Sequence, residues 1–258
     1  MIIAQISDTH IEAKSSAGPT WADRAENLRL CVADINRQGV DVVLHTGDSV
    51  HRGTPEEYAH LREILDDLDA PLLIVPGNRD RHGALRKAFD CLARLPRTGE
   101  FLHYVVDEFP MRLVALDSVV EGERKGVFCN RRLAWLDETL GREPDRPTIL
   151  FMHHPPFDIV PHYVGGYRHP EQAEELAELV ARHSQVVRLL CGHVHCHHRQ
   201  VWGGTVATTM PSVAVDLRKG VDASIGATPL YLLHAVSGDG DLVTHTRVVA
   251  SGAETIFN

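Results

Sequence analysis

The residues with the most chemical meaning here are histidines. The chain holds 17 of them in 258 residues, and they are clumped. His153 and His154 are adjacent, and His193, His195, His197 and His198 fall within six positions. Imidazole is the commonest protein ligand for transition metals. Acids and an amide recur in comparable settings: Ser7-Asp8-Thr9-His10, Thr46-Gly47-Asp48, Pro76-Gly77-Asn78-Arg79-Asp80, His153-His154-Pro155-Pro156 and Cys191-Gly192-His193-Val194-His195. Asp8 and His10 are two apart, as are His193 and His195; on an extended chain such pairs share one side and can chelate one ion. Gly47 and Gly77 precede Asp48 and Asn78, and glycine allows the backbone turn that aims the next side chain. Mixed oxygen and nitrogen donors suit Mn, Fe, Co or Zn better than Mg or Ca. The five cysteines show no C-x-x-C, which argues against a closed structural zinc site. Singly, an Asp-x-His or a Gly-Asp is ordinary turn chemistry. The ordered set of five, each after an apolar run, points to a metal centre.

The elements that must position these groups follow from periodicity. Ile2–Ile6, Val40–His45 and Leu72–Val75 read as short buried strands. Between them, residues 21–38 read as a helix with Thr20 as N-cap and Ala25, Leu28, Val32 and Ile35 on one face. Thr54-Pro55-Glu56-Glu57 is a capping box that opens a second helix to about Asp69. Further strands are expected at Leu102–Val106, Arg112–Leu116, Ile149–Met152 and Val186–Leu190, and a helix at Pro170–His183. Residues 155–170 read as a long loop. The tail is strand-like at Val201–Thr209, Leu230–Val236 and Leu242–Val249, with a turn at Ser237-Gly238-Asp239-Gly240. Alternating strands and helices followed by strands alone predict an α/β fold whose end is antiparallel. In such folds ligands bind beyond the carboxyl ends of the strands, where all five clusters fall. By contrast, His45, His60, His82, His103, His183, His234 and His245 read as packed or solvated residues, and Cys191 as a buried strand end.

Composition sets outer bounds. Apolar residues make up 43% and charged residues 24% of the chain, which excludes a disordered or fibrous protein. The net charge of -9 repels a polyanion, so no duplex nucleic acid partner is expected, although a small anionic substrate remains compatible with a locally positive cleft. No apolar run is long enough to span a bilayer, and no membrane partner is expected. The opening Met1-Ile2-Ile3-Ala4-Gln5-Ile6 lacks the basic and long apolar regions of a secretion signal. With scattered, odd-numbered cysteines, this predicts a cytoplasmic protein.

The five blocks together resemble the calcineurin-like metallophosphoesterase superfamily, and within it the bacterial class III cyclic-nucleotide phosphodiesterases and glycerophosphodiesterases. The resemblance covers residues 1 to about 215. It implies a four-layer αββα sandwich, two mixed β-sheets flanked by helices, as a single domain over 1–258. The segment from about 200 to 258 would complete the second sheet or form a small cap. It implies two divalent metal ions: Asp8, His10 and His195 on the first, Asn78, His154 and His193 on the second, Asp48 bridging, and His153 a neighbour. It implies hydrolysis of a small anionic phosphodiester, a 3′,5′-cyclic nucleotide or a glycerophosphodiester, by metal-hydroxide attack on phosphorus. The alternatives on the same site are a phosphomonoesterase, a phosphonate-ester hydrolase, or a catalytically silent scaffold. A homodimer or higher homo-oligomer is also implied. One departure stands out. The superfamily usually shows Gly-Asn-His-Asp, and this chain has Gly77-Asn78-Arg79-Asp80. Arginine cannot donate a proton near neutral pH, but it can grip a phosphate oxygen. Arg79 is therefore expected to bind and stabilise charge, together with substrate contacts from Asn78, His154 and His195. His82 is the nearest histidine that could take over as proton donor. In the loop, Tyr163, Tyr167, His162 and Arg168 offer stacking and anion-binding groups.

Overall fold

The computed structural model describes residues 1–16, 20–221, 225, 228–237, 241–249 and 254–255. Its first half alternates as expected through β1 (Ile2–Ile6), α1 (Thr20–Gln38), β2 (Val42–His45), α2 (Pro55–Leu65) and β3 (Leu72–Ile74), and a helix that the sequence did not announce, α3 (His82–Ala88), follows. Then come β4 (Tyr104–Val106), β5 (Arg112–Ala115), α4 (Asn130–Gly141), β6 (Thr148–Met152), α5 (Pro170–Ala181) and β7 (Val186–Cys191). The remainder is β8 (His198–Trp202), β9 (Thr205–Thr209), a 3₁₀ turn at Val215–Leu217, β10 (Leu230–Val236), β11 (Leu242–Val248) and β12 (Glu254–Thr255).

These strands form two six-stranded mixed sheets, ordered β12-β11-β10-β1-β2-β3 and β4-β5-β6-β7-β9-β8. The C-terminal strands divide between them. β8 and β9 extend the second sheet, whereas β10 pairs antiparallel with β1 in the first. Strand parity explains the layering. Along β5 to β7, Leu113, Ala115, Ile149, Phe151 and Leu190 enter one core shared with the first sheet and with Leu28, Ile35 and Leu61 of α1 and α2. Their alternates Val114, Leu150, Met152, Leu189 and Cys191 join Leu136, Leu140, Leu176 and Leu179 of α4 and α5. Period-two side chains thus give helix, sheet, sheet, helix. Gln5 ties the sheets together: its Nε2 donates to Thr46 Oγ1 and to the Cys191 carbonyl, both at 3.1 Å.

Several expectations shift in detail. α1 opens at Thr20 itself, so its cap falls outside the described residues. The Thr54 capping box is present, and α2 stops at Leu65 rather than near Asp69. Val201–Thr209 is two strands, because Gly203 and Gly204 (φ 53° and 75°) make a two-residue hairpin turn between paired Trp202 and Thr205. α3 and α4 carry no side-chain cap, which removes the signal that would announce them. Residues 238–240 of the expected turn lie outside the described residues. Among the described residues, no helix is long and apolar enough to cross a membrane.

Candidate metal centre

Parallel register brings the strand ends together. Ile6 pairs with His45 and His45 with Ile74, so the segments carrying Asp8, Asp48 and Asn78 leave one edge side by side. In the facing sheet Met152 pairs with Cys191, which places the 153 and 193 segments at the matching edge. Beyond those ends the backbone is unusual. Among the described residues, the non-glycine positions with positive φ are Asp8 (52°), His10 (44°), Asp48 (50°), His193 (70°) and His195 (58°). Left-handed backbone costs of order 1–3 kcal/mol at a non-glycine residue and persists where the surroundings enforce it. Asp8 and His10 therefore converge through two left-handed residues, not through the extended chain expected from their spacing. Cross-strand bonds hold them there: Asp8 N–H donates to the Gly47 carbonyl at 2.9 Å and His10 N–H to the Asp48 carbonyl at 3.0 Å. Close approach demands glycine at two more places. A Cβ on Gly77 would sit 2.0 Å from the Asp48 nitrogen, and one on Gly192 would sit 2.1 Å from Ser7 Oγ.

Two donor clusters result. In the first, Asp8 Oδ1 lies 3.2 Å from His195 Nε2 and 3.9 Å from His10 Nε2. The two imidazole Nε2 atoms are 3.4 Å apart, and Asp48 Oδ2 lies 3.6 Å from His10. In the second, His153 Nε2 lies 3.5 Å from Asp48 Oδ1, 3.3 Å from Asn78 Oδ1 and 3.2 Å from His193 Nδ1. Asp8, His10 and His195 form one group whose ligand atoms are mutually within 4.8 Å; Asp8, Asp48 and His153 form another, and His153, His154 and His193 a third. Asp48 therefore touches both clusters.

Tautomers follow from the outer partners. His195 Nδ1 faces the Leu217 carbonyl at 3.0 Å and His153 Nδ1 the Thr46 carbonyl at 2.8 Å. A carbonyl only accepts, so both Nδ1 atoms carry the proton and both Nε2 lone pairs point into the cluster. Asp8 Oδ2 is satisfied by the Ser7 hydroxyl (2.7 Å) and the His193 N–H (2.9 Å), whereas its buried Oδ1 has no hydrogen-bond partner. A buried, unsatisfied carboxylate oxygen among inward lone pairs fits a cation. The residues present thus fit a pair of divalent ions.

Electrostatics agree. Burial, joined by the carboxylates of Asp8 and Asp80, pushes Asp48 up to about 7 against the pull of His153. Burial also favours protonated Asp8, but His195, with smaller help from His153 and His10, holds it well below the usual carboxylate range. Burial holds His10 and His193 low, which keeps them neutral as ligands must be, and it holds the neighbouring His154 low as well. His195 alone in this group is raised: Asp8 outweighs its burial.

The structure brings together Asp8, His10, Asp48, Asn78, His193 and His195. His154 stands at the margin. Its Nδ1 lies 2.8 Å from Ser118 Oγ and its ring centroid 4.5 Å from that of His193, while the neighbouring His153 meets Asp48, Asn78 and His193 directly. Arg79 donates its backbone N–H to Asp48 Oδ1 at 2.7 Å and lines an adjoining cavity. Its neighbour Asp80 is buried and occupied with Ser49, Tyr58 and the Gly77 N–H, so it does not pair with Arg79. His82 cannot serve as proton donor in this arrangement, because its Nε2 lies 2.7 Å from Asp117 and its Nδ1 3.1 Å from Glu121. In the loop, Tyr163 packs edge-on to His193, Tyr167 is buried with its hydroxyl on the His154 carbonyl, Arg168 is paired with Glu123, and His162 is exposed.

Comparisons with known proteins converge on one family. The probable glycerophosphodiester phosphodiesterase GpdQ of Arcobacter nitrofigilis is 34% identical over 256 residues, which cover 96% of this chain and 93% of that protein. A probable cyclic nucleotide phosphodiesterase of Rhodopseudomonas palustris is 35% identical over 205 residues, 77% of this chain and 73% of that one. In fold, a dimetal phosphatase from Danio rerio superposes with a TM-score of 0.76 at 15% identity, covering 100% of this chain and 99% of the other. The family model for calcineurin-like phosphoesterases matches residues 1–197, a span that contains every donor of both clusters. With a match of that extent, the chain belongs to the calcineurin-like phosphoesterase family.

Proposed function

We propose that the protein is a metal-dependent phosphodiesterase hydrolysing small phosphodiesters, glycerophosphodiesters or 3′,5′-cyclic nucleotides, at a dinuclear site. The observation that carries this is Asp48 lying between two donor clusters in a family whose similar members are named for such substrates. Asp8, His10 and His195 would hold one ion; Asn78, His153 and His193 the other; Asp48 both. His153 takes the place that resemblance alone gives to His154, because its Nε2 meets the other donors. Mn, Fe, Co or Zn fits this donor set. When bound, two such ions supply a Lewis acid and an activated water at neutral pH.

The chain's own residues do the rest. The left-handed turns at Asp8, His10 and Asp48 fix donor directions before any ligand arrives, so little reorganisation is needed on binding. The Thr46 and Leu217 carbonyls keep His153 and His195 in the coordinating tautomer. Arg79, beside Asn78, offers a charged fork to a phosphoryl oxygen. It holds charge and moves no proton. A diester with a good leaving group is therefore favoured over one whose alkoxide needs protonation. The five cysteines are all free, in keeping with a cytoplasmic location. A homodimer or larger homo-oligomer belongs to the same reading, and sedimentation velocity gives its mass.

The test is metal analysis of the purified protein alongside hydrolysis of bis(p-nitrophenyl) phosphate, cyclic AMP, glycerophosphoethanolamine and a phosphomonoester with added Mn²⁺. Two ions per chain and turnover of diesters above the monoester are expected. Preference for the monoester would make it a phosphomonoesterase. Metal-free, inert protein would make it a scaffold.

A further inference from the structure

Beside the donor clusters the surface opens into a cavity of about 480 Å³ lined by His51, Arg52, Asn78, Arg79, Arg81 and Arg124. The two are continuous. Asn78 Oδ1 lies 3.3 Å from His153 Nε2, and the His51 ring stands edge-on to His10 with centroids 6.1 Å apart. The cavity carries the opposite sign to the molecule: four guanidinium groups in a chain of net charge -9. The carboxylate in its wall, Glu123, is held by Arg168 at 2.8 Å.

Elsewhere several arginines are matched by acids. Arg24 meets Glu12 and Asp216, Asp34 takes Arg37 and Arg247, and Asp107 takes Arg112 and Arg146. In the cavity the side chains of Arg52, Arg79 and Arg124 have no ion pair or hydrogen bond among the described residues, and Arg81 donates to the Asp80 carbonyl at 3.2 Å. Like charges gathered without counter-ions repel one another, so such a group is a standing site for anionic oxygen. Guanidinium forks match phosphate bidentately. One phosphodiester monoanion at the donor clusters uses Arg79 at most and leaves the other three.

Resting on the phosphodiesterase reading above, we propose that this cavity binds a second phosphate of the substrate. The diesters taken by this site then carry a phosphate monoester on the arm that stays on phosphorus after cleavage, in preference to an arm with no second charge. Arg52, Arg81 and Arg124 hold that group, while Arg79 stands between it and the reacting phosphorus.

A matched pair of substrates tests this: the p-nitrophenyl ester of thymidine 5′-phosphate, with a free 3′-hydroxyl or with a 3′-phosphate. With the wild-type protein, KM is expected about tenfold lower for the 3′-phosphorylated ester, the scale of a charge-assisted contact. In R52Q/R124Q, both exposed positions, the two KM values should converge to within about twofold. The change R199Q, at an exposed arginine outside the cavity, should keep the difference. Equal KM values in the wild type overturn the inference while leaving the phosphodiesterase reading intact. If neither ester is cleaved, that reading fails, and calorimetric titration decides the inference by itself. Thymidine 3′,5′-bisphosphate should then bind about tenfold more tightly than the 5′-monophosphate, with the advantage lost in R52Q/R124Q. Equal affinities overturn it.

Discussion

At the scale of single residues, two adjacent histidines divide the labour. Resemblance favours His154 as a ligand, but parity along β6 favours His153. Ile149 and Phe151 face the core between the sheets, and His153 continues that series, whereas Leu150 and Met152 face the helices and His154 continues theirs. That signal was present in the sequence as simple alternation, yet it becomes readable only once one knows which face of β6 meets the other sheet. His153→Ala is expected to lose one of the two ions and activity on bis(p-nitrophenyl) phosphate with it. His154→Ala, which removes a contact to Ser118, should keep both ions and lose less. Metal content by mass spectrometry checks the order; equal loss in both variants contradicts it. Arg79 gives a second expectation at this scale. Arg79→Ala should lower kcat/KM about 10- to 100-fold, as loss of one preorganised charge does. Arg79→His should instead introduce an ionisation near 6.5, with activity falling on its alkaline side, because only the protonated imidazole donates. The pH profile of kcat/KM separates the two roles.

At the scale of elements, most of the fold was legible because strands and helices announce themselves through period and caps. β1 and β10 stand where their apolar runs put them, and the Thr54 capping box opens α2. α4 was not, since Cys129 offers its first turn no side-chain cap. The strand ends were legible as places but not as shapes. Nothing in Asp8-Thr9-His10 states that both flanking residues adopt positive φ, since that conformation is enforced by hydrogen bonds to the Gly47 and Asp48 carbonyls in the segment that follows β2. The glycines measure how tight these junctions are. Gly77→Ala puts a Cβ 2.3 Å from Asp48 Oδ1. A loss of about 1–3 kcal/mol in urea unfolding is expected, with weakened binding of both ions because Asp48 must move. Gly83→Ala makes the contrast: open space surrounds that position in α3, and replacing a helical glycine should gain about 0.5–1 kcal/mol. Retention of full metal binding by Gly77→Ala would contradict the account of the junction.

At the scale of the whole molecule, buried neutral histidines set the response to acid. Burial holds His45 and His103 down at about 4 and His234 at about 3. His234 bridges three strands: its Nδ1 lies 2.9 Å from Thr244 Oγ1 on β11 and its Nε2 3.1 Å from Gln5 Oε1 on β1. In the unfolded chain each of these groups takes a proton below about 6.5, while the folded protein resists until its lower value. Their contribution is therefore complete above pH 6.5 and is lost as pH falls, by up to about 1.4 kcal/mol per pH unit per group. His82 has the opposite sign. Asp117 and Glu121 raise it against its burial, so its contribution is full in acid and fades as pH rises. His234→Gln should flatten the fall in urea midpoint between pH 6.5 and 4.5 relative to wild type; parallel curves would show that His234 takes no part.

One pairing has a temporal consequence. β1 lies between β2 and β10, with Ile2 opposite Ala235 and Gln5 opposite Leu232. As a nascent polypeptide leaves the ribosome, the segment bearing Asp8 and His10 emerges well before residues 230–236, and until those follow one flank of its strand stays bare. The donor set is thus not fully supported until β10 has emerged. Loading of the centre is expected to follow synthesis of β10, and translation products that stop before it should emerge metal-poor.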